Sequence, residues 1–157
     1  MNRRIAAIGV FLMLAFTGCD RVFVATPREP DLVGIYKLTA DSENFLREHK
    51  AYGPIPVSVI ELKSGSIISI RNLPDCAVDG FGEGSGVFLS GDGKWTVDKA
   101  FLGYGLNVDI ADGGTMKPGI YAGPWVDIRR RSSPHVLEIT VGDPDSGESI
   151  KYERVPS

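Results

Sequence analysis

The sequence predicts a mostly β protein: one antiparallel meander of about eight or nine strands with a single short helix. Three observations carry this reading. Short segments alternate apolar and polar residues with a period of two, turn chemistry interrupts the chain about every ten residues, and one segment alone shows helical spacing. Side chains of a strand point alternately to opposite faces, so alternation gives one apolar and one wet face, as antiparallel sheets have.

Strands are expected near 32–39, 55–63, 66–72, 86–90, 94–98, 104–111, 120–130, 135–142 and 148–155. After the first, Asp41 or Ser42 can cap a helix over 41–50, where Phe45, Leu46 and His49 fall on one side. Lys63-Ser64-Gly65 separates the second and third strands. The stretch 74–86 (PDCAVDGFGEGSG) is the longest irregular segment. Gly91-Asp92-Gly93 reads as a turn, followed by Trp95 and Val97 opposite Thr96 and Asp98. Leu106, Val108 and Ile110 share a face against Asn107 and Asp109, and Asp112-Gly113-Gly114 ends that strand. Leu137, Ile139 and Val141 oppose Glu138 and Thr140; Asp143-Pro144-Asp145-Ser146-Gly147 turns the chain; Ile150 and Tyr152 oppose Lys151 and Glu153. So many hairpin-linked strands leave two bare edges, which closure into a small barrel removes. A β-sandwich satisfies the same alternation.

The N-terminus has a different grammar. Arg3 and Arg4 precede thirteen uncharged, mostly apolar residues (Ile5 to Thr17), then Gly18-Cys19 and the charged pair Asp20-Arg21. This is the layout of a secretory signal, and the apolar run is short of the roughly 20 residues a spanning helix needs. Phe16-Thr17-Gly18-Cys19 resembles the lipobox of bacterial lipoproteins, with Phe16 where that family usually has Leu, Val or Ile. The resemblance implies a signal peptide over 1–18, cleavage before Cys19, and acylation of its sulfur and new amino group. Two or three acyl chains suffice for stable attachment, since each buried CH₂ contributes about 0.8 kcal/mol. The same resemblance makes Asp20 a sorting residue that favours the inner membrane, with the outer membrane open. Residues 19–30, with two prolines, read as a tether, and 31–157 as the domain.

Without residues 1–18, the chain keeps 139 residues with 15 basic and 20 acidic side chains, a formal charge of −5. That argues against nucleic acid and against a polybasic hold on lipid. Once Cys19 is acylated, Cys76 is the one remaining thiol, so no internal disulfide forms. Cys76 reads as a small buried residue, with pairing to another chain as the alternative.

Gly34-Ile35-Tyr36-Lys37-Leu38 resembles the Gly-x-Trp start of calycins, the lipocalin and fatty-acid-binding barrels, with Tyr36 in place of Trp. Ser42-Glu43-Asn44-Phe45 and Tyr152-Glu153-Arg154-Val155 are similar to the fatty-acid-binding branch. The resemblance implies a lipocalin-like barrel. It does not carry over fatty-acid binding: that branch has a helix pair where 40–54 has room for one, and an Arg where Ile150 stands.

The search for chemistry returns little. His49 and His135 with one mature thiol build no typical zinc cage, and no cofactor is implied. Gly82-Glu83-Gly84-Ser85-Gly86 has neither dinucleotide-loop spacing nor the Gly-x-Ser-x-Gly frame. No trio of nucleophile, base and orienting group can be assembled, so an enzyme is not expected. Arg130 and Arg154 end rows of apolar strand residues, where they either snorkel to solvent or read an anion. Phe81, Tyr104, Tyr121 and Trp125 are aromatic candidates for partner contact.

Two functions follow. One is a lipid-anchored, periplasm-facing interaction module that docks an envelope protein. The other is a barrel holding a small hydrophobic or anionic ligand, which requires an empty lumen. An interior plugged by Tyr36, Phe88 and Trp95 separates them.

Overall fold

The computed structural model describes residues 26–50, 52–78, 84–100, 103–111, 114–129 and 134–156, with the side chains of 100, 119–125 and 144 left out of the description. A four-residue helix, α1 (Glu29–Leu32), leads into β1 (Gly34–Leu38) and a ten-residue helix, α2 (Ala40–His49). Seven strands follow: β2 (Val59–Lys63), β3 (Ile67–Pro74), β4 (Phe88–Ala100), β5 (Gly103–Ile110), β6 (Gly119–Ile128), β7 (Val136–Thr140) and β8 (Ser149–Arg154). Each pairs antiparallel with its neighbour in sequence, and β8 returns to β1 through Tyr36↔Arg154 and Leu38↔Tyr152. The sheet is a closed eight-stranded up-and-down barrel, so neither bare edges nor a sandwich remain.

Helix α2 starts one residue earlier than its spacing suggested, because Thr39 caps it. The Thr39 hydroxyl accepts from the Ser42 N–H at 3.3 Å. Ser42, in turn, accepts from the Lys151 N–H at 2.8 Å and so continues the β1–β8 ladder past the end of β1. A hydroxyl thus joins helix to sheet where the backbone of β1 leaves off.

The expected turn at Gly91-Asp92-Gly93 is absent; β4 runs straight through it, merging the strands read at 86–90 and 94–98. A Cβ on Gly93 would sit 2.0 Å from the Asp109 carbonyl oxygen, so glycine serves here as the residue that lets two strands approach. Two irregularities break the ladders. Asn72, at φ 54°, interrupts the β3–β4 register, its N–H donating to Ser90 Oγ and its amide to the Val57 carbonyl. On β6, register shifts between the partners of Leu106 and Val108, so that residues 122–125 stand opposite Asn107 alone. This extra length includes Pro124, a residue confined to such interruptions because it lacks an N–H.

The lumen is filled. Tyr36, Trp95 and Tyr152 are 0–1% exposed and are packed with Ile60, Leu62, Ile68, Ile70, Leu106, Ile139 and Ile150. Trp95 Nε1 donates to the Ile67 carbonyl at 3.1 Å, the Tyr36 hydroxyl to the Leu32 carbonyl at 2.7 Å, and the Tyr152 hydroxyl shares a 2.7 Å bond with Ser58. Three large aromatics are thereby buried with their polar atoms satisfied. Phe88 differs from its expected place. It is half-buried beside Tyr52 at one end of the barrel, ring centroids 5.5 Å apart.

Candidate functional surface

Because strands alternate direction, α1 lies at one end of the barrel with the β2–β3 turn and the chain's last residues. Helix α2 lies at the other, with the connections β3–β4, β5–β6 and β7–β8.

The α1 end is closed by side chains that hold backbone. Leu32 is fully buried under it. Glu29 accepts from the N–H groups of Gly65 and Ser66, at 2.6 and 3.2 Å. Both turn residues have positive φ, 77° and 59°, which aims successive N–H groups at one carboxylate. From the far side Arg154 donates to the carbonyls of Asp31, at 3.1 Å, and Val33. Its guanidinium crosses β1 at Gly34, where a Cβ would stand 2.5 Å from Nε. Burial beneath this clamp pushes the Tyr36 phenol up to about 12, against the opposing pull of the Arg154 charge. Arg154, read from sequence as a snorkelling or anion-reading group, is therefore engaged by the main chain of α1. Thr26 and Tyr104 also meet here, through a 3.0 Å hydroxyl bond.

At the α2 end a carboxylate gathers loop segments distant in sequence. Asp75 accepts from the Tyr52 hydroxyl, and from the Ser85 N–H and Oγ at 2.8 and 2.6 Å. Burial works to raise its pKa, yet these bonds from Ser85 and Tyr52 hold it below the ordinary carboxylate value. The Tyr52 oxygen also accepts from the Cys76 N–H at 3.1 Å. Cys76 is 0% exposed, and burial pushes its thiol up, away from the reactive thiolate.

On the outer wall, α2, β7 and β8 enclose an open groove of about 970 Å³. Phe45 and Val136 supply apolar lining; Arg129, Glu138, Lys151 and Glu153 supply charge. Glu138 accepts from Arg129 Nε and Ser149 Oγ and lies 3.8 Å from Lys151 Nζ. Burial acts to raise the Glu138 pKa, and the bonds from Ser149 and Arg129 bring it below the usual value. Asp127 stands directly across the strands from Glu138, bridged by Arg129 at 3.4 Å. Burial, reinforced by the Glu138 charge, holds the Asp127 carboxyl above its ordinary value.

The remaining sequence candidates are scattered. Cys19, Asp20, Phe81 and Arg130 lie outside the described residues, as do the side chains of Tyr121 and Trp125 on β6. His135 is 4% exposed, next to β7 at the α1 end, and His49 stacks on Phe45 with centroids 5.2 Å apart. Sequence reasoning missed the Glu29 and Asp75 clusters, which join residues 36 and 23 positions apart. Among the described residues no helix is long and apolar enough to cross a membrane, and no three His, Cys, Asp or Glu side chains are placed to hold a metal ion. Comparison with family models, with curated proteins and with solved structures finds no match.

Proposed function

We propose that this chain is a bacterial envelope lipoprotein, cleaved before Cys19 and acylated there, whose barrel is a non-catalytic module for docking another envelope protein. Asp20 next to the anchor favours retention on the inner membrane. The observation that supports an interaction role over ligand carriage is the filled interior: Tyr36, Trp95 and Tyr152 occupy the space that a lipocalin-like barrel gives to its ligand. Recognition then falls to the outside, where the groove between α2, β7 and β8 offers both apolar and charged groups.

Native mass spectrometry of the protein extracted from envelope in mild detergent tests this. The module reading expects the acylated chain together with a protein partner. A stoichiometric small molecule, held by the isolated chain and lost only on unfolding, would favour the ligand-carrying barrel instead.

A further inference from the structure

Resting on that anchored reading, we infer that the barrel stands on the membrane by its α1 end, so that α2 and the long connections face away from the lipid. Three features carry the inference.

The first is where the tether meets the fold. Thr26 bonds to Tyr104 at the α1 end, and residues 29–33 are fixed there by Glu29 and Arg154. The second is length. Cys19 and Thr26 are seven residues apart, which a fully extended chain spans in at most about 25 Å. The thirteen residues of β4 measure roughly 43 Å along the strand at ~3.3 Å each, or about 33 Å along the barrel axis at a tilt near 40°. An inverted barrel would lift Thr26 further from the lipid than its tether reaches.

The third feature is charge, which separates an upright barrel from one lying on its side. Among the described residues the α2 end carries Asp41, Glu43, Glu48, Asp75, Asp143, Asp145 and Glu148 against Arg47, Lys50 and Lys117. At the α1 end, among the described residues, the acids Glu29, Asp31, Glu61, Asp98, Asp127 and Glu153 face Arg28, Lys63, Lys99, Arg129 and Arg154, a near balance. Anionic headgroups attract basic segments and repel acidic ones within a Debye length, about 8 Å at physiological salt. The surplus of acids is thus at the end that the tether already holds away. The net charge of the chain concealed this asymmetry.

The test uses the mature lipoprotein in vesicles of phosphatidylethanolamine and phosphatidylglycerol doped with a headgroup nitroxide. A thiol-reactive fluorophore is placed by Ser64→Cys in the β2–β3 turn or by Asp145→Cys in the β7–β8 turn. Both positions are exposed, and the buried Cys76 does not compete. Quenching several-fold stronger at position 64 than at 145 is the expected result. Equal quenching in a sample whose intact mass shows acylation, or stronger quenching at 145, would overturn the orientation alone. An unacylated chain that fails to float with the vesicles would overturn the anchor reading and the orientation with it.

Discussion

Replacing Trp95 by alanine removes the largest fully buried side chain among the described residues. An aromatic of this size buries about 200 Å², which at ~25 cal/mol per Å² corresponds to at most about 5 kcal/mol of lost burial. Measured truncations of buried aromatics to alanine span roughly 3–5 kcal/mol, the spread reflecting how far neighbours collapse. The lumen neighbours are strand residues held by ladders on both sides, such as Leu106, paired with Val97 and Val126. Collapse is therefore small, and a loss of about 4 kcal/mol is expected. With a urea dependence near 2 kcal/mol per molar, the unfolding midpoint moves down by about 2 M. The emptied site is apolar, apart from the Ile67 carbonyl that Trp95 Nε1 leaves, so the variant should take up benzene or xenon where the parent does not. A loss below about 1 kcal/mol, or equal uptake by both proteins, would refute the filled lumen and reopen the ligand-carrying reading.

Further predictions test other contacts. Arg154→Ala leaves the carbonyls of Asp31 and Val33 without their guanidinium donor; hydrogen bonds to charged groups are worth about 1.5–3 kcal/mol, and a loss in that range should appear together with faster amide exchange at Val33, whose N–H closes α1 onto Glu29. Gly93→Ala places its Cβ against a backbone oxygen that cannot swing aside, so it should abolish the cooperative thermal transition, whereas Gly53→Ala, with open space around it, should not. In acid, Asp75, Glu138 and Asp92 (which accepts from Arg71 and Ser69), all held below their ordinary values by such bonds, contribute stability that is complete above about pH 5 and lost as pH falls through their folded pKa values, while the raised Asp127 acts in the opposite sense. Urea midpoints between pH 2 and 7 should therefore fall steeply below pH 4 in the parent and less steeply in Asp75→Asn.

Much of the barrel was legible because its signal is local. Leu106, Val108 and Ile110 alternate with Asn107 and Asp109, and each of the three sits in the core. The 143–147 turn formed as its residues dictate, with Asp143 accepting from the Asp145 N–H and Gly147 at φ 72°. The failures come from residues with two physical uses. Glycine both turns a chain and admits close neighbours; at Gly93 the second use prevails, and only the position of β5 decides it. Arg154 was placed at the end of an inward row, yet its partners are carbonyls more than 120 positions away, which no local pattern encodes. Asp75 gathers Tyr52 and Ser85 for the same reason. Helix α1 is four residues long, too short for a period to register, and its ends are fixed by the barrel rather than by its own propensity.

The anchor underlies both the docking role and the orientation, and labelled palmitate tests it most directly. Cells expressing the parent chain or Cys19→Ala are labelled and fractionated after osmotic shock. The account predicts label on the parent, recovered with membranes, and an unlabelled Cys19→Ala chain. Equal labelling of the two, or a parent chain released unlabelled with the soluble periplasm, would contradict it.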